Sequence, residues 1–514
     1  MSRASGGTAR QSRSDRRRAQ RELRHSKRSA GIHPNSHTTR PNRTSRYETV
    51  EQERQARSEA VIEQARVVGQ KLPTLLNALS RIRDPRNPRY VQHTLKSLMV
   101  YGILMFLLQT GSRRRSNERL SAPAMKAALQ GLYPLESLPH QDTLCRLLAR
   151  IEPLQIEKAL VALVARLIRD KKFADHLVEG CYPIAIDGTQ KMVRWQAADD
   201  AWLRRQVGAE GKKRTQYYVY VLEANLVLSN GISIPLMSEF LDYHRGDSER
   251  EKQDCELRAF TRLTERLKSY FPHLRIMLLL DGLFASGPVI GRCREYGWHF
   301  MIVLQDGSLP QVWQEYRGLR RLLSKEDRLS QRWGDREQSF ELVNDIDYRY
   351  GQNERKRATI HLAVCQEQWQ EVDRKGRLVE RRGRWAWISD LRFCRETAHV
   401  RCNLGGRRRW SIEEGMLVEK RQGYEYEHCY AENWKAMQGY HYLMRLGHLL
   451  NVLVSLASSL VTTIRERGAQ GFLAWVRETL SGIWLKLAEL KARLAAPYQL
   501  RLLFPLPDVP LLTG

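Results

Sequence analysis

Between residues 179 and 305 the apolar pattern drops its helical period and takes up a defined succession of strands and helices. Tyr182 to Ile186 is a short apolar run. YYVYVLEANLVL, Tyr217 to Leu228, is rich in β-branched and aromatic residues, and the turn SNG separates it from ISIPLMSEFL. KQDCELRAFTRLTERLKSYF then returns to helical spacing. IMLLLD is a continuous apolar run suited to a buried strand, and a helix around Pro288 to Glu295 leads to the strand HFMIVL. Three hairpin-joined strands followed by helix, strand, helix, strand predict an α/β unit built on a mixed sheet. Two of these runs deliver an aspartate to their end with glycine directly after it: Asp187 in IAIDGTQ and Asp281 in LLLDGLFAS. Taken singly, each reads as turn chemistry.

A second feature changes that reading. RRRWSIEEGMLVEK, Arg407 to Lys420, has the spacing of a helix, and Arg409, Glu413, Met416 and Lys420 recur at steps of four, three and four on one face. Two basic residues and a carboxylate along one stripe suit a helix that holds a metal and a phosphate better than they suit a core. An exposed helix laced with ion pairs is the simpler explanation of the stripe alone. Glu414 lies about 100° further round and points away from it. Two strand aspartates and one helix glutamate are a donor set for divalent cations, which take carboxylate oxygens and leave sites for phosphate oxygens.

Asp187, Asp281 and Glu413 together resemble the DDE triad of bacterial insertion-sequence transposases with a ribonuclease-H-like core. One large set of these carries a helix signature Y-x2-R-x3-E-x6-K, which Arg409, Glu413 and Lys420 match in spacing, with Gly406 in the tyrosine position. The strings DPRNPRY, LPHQDTL, KQDCELRAF and GYEYEH are similar to the same transposases, so the likeness runs over most of residues 80 to 460. The resemblance implies Asp187 on the first strand of that core and Asp281 at the end of the fourth, its neighbour. It implies two Mg²⁺ ions (Mn²⁺ as substitute) held by Asp187, Asp281 and Glu413, with Asp187 bridging both. It also implies cleavage and strand transfer at the element's own ends. Arg409 and Lys420 would then position phosphates, and Lys212, Lys213 and Arg214 would line the DNA path.

Charge agrees with a polyanionic partner, since 514 residues carry a formal net charge of +28. The expected partner is double-stranded DNA, terminal inverted repeats and target alike, held by a homodimer or larger assembly in the synaptic complex. Eight cysteines without a CxxC pair argue against a zinc ribbon or a redox motif and fit reduced thiols. The most apolar stretch, Leu98 to Leu108, is too short to span a bilayer, and the polar, arginine-rich start carries no signal peptide. The expected location is cytoplasmic and nucleoid-associated. No GxxxxGK[ST] loop appears, which speaks against ATP use.

The expected organisation is a disordered basic arm over 1–60 and an all-α, DNA-binding region over 61–178. The first part of the core follows over 179–305, a β-rich insertion over 306–403, and the second part with the glutamate helix over 404–465. A helical tail covers 466–514. An amphipathic helix near Phe472 to Ala495 is a candidate subunit contact. Trp195 and Trp298 are candidates for stacking on an extruded base, with a core role the simpler reading. His244, Asp242 and Asp247 lack metal-ligand spacing. Two other functions fit the same residues: a catalytically decayed or domesticated DNA-binding protein on this scaffold, favoured by Gly406, and a metal-dependent nuclease.

Overall fold

The computed structural model describes residues 5–32, 44–245, 255–505 and 511–512. Among the described residues seven α-helices precede the first strand: α1 (Ser5–Ser29), α2 (Val50–Leu79), α3 (Leu95–Leu107), α4 (Arg113–Ser121), α5 (Pro123–Leu132), α6 (Gln141–Leu148) and α7 (Leu154–Arg169). Thr49, Thr94 and Ser112 start α2, α3 and α4 by accepting a backbone N–H in the first turn. α3 is apolar all round and buries every residue from Ser97 to Leu107. Among the described residues no helix is long and apolar enough to cross a membrane. All eight cysteines are free, and four of them are buried.

The sheet begins with β1 (Tyr182–Arg194), β2 (Leu203–Val207), β3 (Arg214–Val227) and β4 (Ser233–Phe240). After α8 (Glu256–Tyr270) come β5 (Ile276–Leu280), α9 (Gly287–Tyr296) and β6 (His299–Val303). β1 runs antiparallel to β3 and parallel to β5, and β5 runs parallel to β6. β2 and β4 share the other edge of β3. The strands therefore lie side by side as β4, β3, β1, β5, β6.

The sheet continues past β6. α10 (Pro310–Leu319) leads to β7 (Arg328–Trp333), β8 (Arg336–Tyr350), β9 (Lys356–Val372) and β10 (Leu378–Ser389), and β10 pairs with β6 through Trp387, Ile388 and Ser389. These strands were expected to interrupt the core; in space they extend its sheet and cover the edge that β6 would otherwise expose. The chain returns through α11 (Arg395–Ala398), a wide π-helical segment (His399–Gly405) and a tight 3₁₀ turn (Gly406–Arg409) into α12 (Trp410–Arg421). Then follow α13 (Trp434–Leu456), α14 (Val461–Arg467), α15 (Ala469–Ser481), α16 (Leu487–Ala495) and a two-residue strand, β11 (Leu511–Leu512), paired with β7.

Three expectations need correction. The arm over 1–60 is not structureless. Residues Ser5–Ser29 form α1, anchored where Lys27 meets Asp335 at 2.6 Å and the Gln370 carbonyl at 3.0 Å, while residues from Val50 belong to α2 and bury Arg57 and Ala60. Asp187 is not at a strand end, because β1 runs on through it to Arg194. The segment near Phe472 to Ala495 is two helices, and Phe472, Leu473, Trp475, Val476 and Leu480 are buried within the chain, where α15 packs on α2 and α5. That apolar face is already used and is not free for a second subunit.

Burial of charge fixes α12 and α13 to the sheet. Glu223 stands directly opposite Asp187 on β3 and so shares its face. Its carboxylate accepts from Tyr426 at 2.7 Å and Ser238 at 2.6 Å and pairs with Arg445 of α13 at 3.3 Å. The same guanidinium reaches Glu419 of α12 at 3.2 Å, and His448 lies 2.7 Å from that glutamate. Glu223, Glu419 and Arg445 are fully buried. Burial raises both glutamates, and Arg445 acting together with His441 and Ser238 at Glu223 and with His448 at Glu419 outweighs it, leaving each below the ordinary carboxylate range. Arg445→Met strands two buried carboxylates and is expected to cost about 3–5 kcal/mol, read as a lower Tm and denaturant midpoint. Changing Glu223 and Glu419 to Gln in the same chain is expected to recover most of that loss.

Candidate functional site

Asp187 and Asp281 meet because of strand register. β1 and β5 pair in parallel with Ala185 beside Leu279, so two residues further on Asp187 stands level with Asp281. Both aspartates also cap locally, Asp187 accepting from Gly188 N–H at 2.9 Å and Asp281 from Leu283 N–H at 3.0 Å. The turn chemistry and the shared location coexist.

α12 supplies the third carboxylate. Arg409, in the turn before the helix, donates to Glu413 Oε1 at 2.8 Å and to Asp187 Oδ2 at 3.2 Å. Its side chain is 6% exposed, against 15% for Asp187 and 35% for Glu413. Burial pushes the Asp187 carboxyl up to about 7; Arg409 opposes the rise, and Glu413 and Asp281 add to it. Asp187, Asp281 and Glu413 thus belong to one electrostatic cluster, with Arg409 as its counter-charge.

Three carboxylates are suitable hard-oxygen donors for Mg²⁺ or Mn²⁺. As arranged, however, the guanidinium of Arg409 spans Asp187 and Glu413. Among the described residues no three His, Cys, Asp or Glu side chains stand close enough to hold a metal ion. The donor set fits the ion in kind, and Arg409 occupies the gap the ion needs.

The other residues singled out from the sequence divide into near and far. Lys420 lies along the same helix, with Nζ 3.2 Å from the Gln190 carbonyl and 3.2 Å from Glu427. Glu414 is exposed and lines a cavity of about 300 Å³ with Gly231, Ser411 and Val418. Lys212, Lys213 and Arg214 are exposed at the tip of the β2–β3 hairpin. Arg214 lies nine positions before Glu223, the partner of Asp187, which is about 30 Å along the strand, so the structure does not bring them into the cluster. Arg205, on the same hairpin, reaches Gln190 at 2.9 Å and links the two regions. Trp298 is buried against Tyr296, whereas Trp195 is 49% exposed beneath Arg214. Asp247 lies outside the described residues.

Sequence reasoning missed Glu223, Glu419 and Arg445, which fix the site's frame, and the pair Tyr220–Glu256 beside Gly188. For Glu256 a signal existed, since it sits in the string KQDCELRAF. It also left Gly406 unexplained. A Cβ there would lie 2.8 Å from Cδ1 and Nε1 of Trp387, a fully buried side chain on β10.

With the geometry in view, comparison adds one positive finding. Residues 76–164 match the DDE_Tnp_1-associated family. The helical region before the sheet is similar to a transposase-associated domain. No curated protein matches the chain. Among solved structures, a cryo-EM structure of a piggyBac transposase synaptic complex with hairpin DNA aligns over 86% of this chain and 83% of its own, at 9% identity and a TM-score of 0.35.

Gly406 yields a direct test of the packing argument. Gly406→Ala is expected to destabilise the protein by about 1–3 kcal/mol, because Trp387 has no room to yield, and restoring a tyrosine there is expected to be worse. Thermal unfolding of the two variants measures this; an unchanged Tm in Gly406→Tyr refutes it.

Proposed function

We propose that the chain is a DNA transposase of the DDE type, which cleaves and joins DNA at the ends of its own insertion sequence. The observation that carries this reading is the level placement of Asp187, on β1, and Asp281, just past the end of the adjacent parallel β5, with Glu413 tied to Asp187 through Arg409. The transposase-associated match over residues 76–164 supports it. The strand order β4, β3, β1, β5, β6 supports a ribonuclease-H-like core, in which β7 to β10 form the insertion.

Asp187, Asp281 and Glu413 would hold the divalent cations, Mg²⁺ or Mn²⁺. Bound there, the cations supply charge stabilisation on both oxygens of an in-line displacement at phosphorus. Asp187 must lose its proton to serve as a ligand, and Arg409 must release at least one of its two carboxylates. Freed from Asp187, its planar fork is suited to a flanking phosphate, with Lys420 as a point charge further along β1. The β2–β3 hairpin extends this basic surface through Arg204, Arg205, Lys212, Lys213 and Arg214, all exposed. On this reading the enzyme is cytoplasmic and nucleoid-associated, and acts as at least a dimer on paired DNA ends.

The rival reading, a decayed or domesticated DNA-binding protein, drew its support from Gly406. Packing against Trp387 accounts for that glycine without any loss of function, so it no longer favours decay. A metal-dependent nuclease shares the carboxylates but gives no reason for the transposase-associated region.

Asp187→Asn, Asp281→Asn and Glu413→Gln are each expected to abolish strand cleavage of element-end DNA while changing its affinity little, because affinity comes from phosphate contacts. Glu414→Gln, on the other side of α12, is expected to retain activity. Cleavage and gel-shift assays on the same DNA check both, and a cleaving Asp187→Asn variant would sink the proposal.

Removing residues 1–32 deletes the arginines of α1 without touching α2. DNA binding is expected to weaken and its salt dependence to flatten, each lost phosphate contact removing about 0.9 from the slope of log K against log salt. An unchanged slope would make α1 a structural element of the β7–β10 region and nothing more.

A further inference from the structure

Trp410, the first residue of α12, has no part in the reading above. Neighbouring positions of a helix lie about 100° apart, so its side chain leaves to one side of the stripe of Arg409, Glu413 and Lys420. With Glu414 and Leu417 it forms the exposed face of the helix. Trp410 is 44% exposed, whereas Trp202 and Trp387 are fully buried, so core packing does not explain a tryptophan here.

The indole touches the site through its neighbour. The guanidinium of Arg409 lies over the Trp410 ring, with Cζ 4.6 Å from the ring centre, where a cation is attracted by the negative face of the ring. Arg409 otherwise holds its place through few bonds. Nη1 donates to Asp187 and Nη2 to Glu413, while Nε is buried with no hydrogen-bond partner among the described residues. Each carboxylate that turns to a divalent cation therefore takes one of those two bonds away. The contact with Trp410 depends on neither carboxylate. It joins two consecutive residues at a turn that Arg407 ties to the buried Glu367 of β9.

Resting on the proposed transposase reading, we infer that Trp410 is a positioning residue of the site. Its ring is the seat that keeps the Arg409 guanidinium aimed at the substrate phosphate once Asp187 or Glu413 has released it. The indole acts on the reaction through Arg409 and not by touching DNA itself.

The test compares two apolar replacements in steady-state cleavage of element-end DNA. Trp410→Phe keeps an aromatic face for the guanidinium. Trp410→Leu keeps apolar bulk and removes that face, so a packing role predicts that the two variants behave alike. Because Trp410 is partly exposed, both are expected to fold, and Tm values check this. The expected result is a kcat within about threefold of wild type for Trp410→Phe and about tenfold lower for Trp410→Leu, with KM for DNA unchanged in both. Equal kcat values in the two variants would overturn the inference. So would a loss carried by KM, because the ring would then be contacting DNA directly. Either outcome leaves the transposase reading standing, whereas a wild-type chain that cleaves no DNA would overturn both.

Discussion

Arg445 holds the architecture of the site together. Its guanidinium, fully buried, lies between Glu223 on β3 and Glu419 on α12, and also reaches Asn225. Glu223 is the strand partner of Asp187, and Glu419 is less than two turns of helix from Glu413. A displacement of α12 along the sheet would therefore separate buried charges before it moved Glu413 away from Asp187. Such a penalty rises steeply with distance in a low-dielectric interior. Lys191 and His441 extend the network, Lys191 Nζ donating to the Tyr426 carbonyl at 2.8 Å with its pKa pushed down to about 8 by burial. The frame behind the carboxylates is thus set by ion pairs that never meet solvent, while the carboxylates themselves stay partly exposed.

What could be read from the sequence follows from how local each determinant is. The runs IAID and IMLLLD place Asp187 on a strand and Asp281 directly after one because apolar continuity and a following glycine are local signals. The step of four between Arg409 and Glu413 foretold that they would meet, since i and i+4 share a helix face. That local pattern could not tell Arg409's second partner. A helix stripe says that the arginine and glutamate are neighbours, but not that Asp187 completes the bridge, which depends on a strand more than two hundred residues earlier. The bond from Arg409 to Asp187 was missed for that reason.

Other misses share the same cause. α1 looked structureless because it has no apolar face, and its anchor is one lysine meeting Asp335 across 308 positions. Gly406 looked like damage to a motif because its reason, the ring of Trp387, lies on a strand that the spacing pattern does not include. Glu256 sat in a visible string without an assignable role, since its partner Tyr220 is 36 residues away and on the far face from Glu223. Patterns of two and of 3.6 residues reveal faces; which faces meet is decided by register.

The three consecutive arginines before α12 show how the added strands serve the site. Arg407 pairs with the buried Glu367 of β9 and lies between the rings of Trp333 and Trp385, at 5.1 and 4.6 Å. Arg408 turns toward Gly231 in the β3–β4 turn, and Arg409 toward Asp187 and Glu413. One tight turn thus bonds to β9 and to the carboxylate cluster and reaches the hairpin end of the central strands. With Arg407 held by β9 and its flanking aromatics, and Gly406 wedged against Trp387 of β10, the start of α12 cannot rotate as a unit. Arg409, unlike Arg407, is bound to partly exposed carboxylates and not to a buried one, and so is placed to exchange partners. The strands β7 to β10 therefore act on the site by fixing the turn from which Arg409 projects.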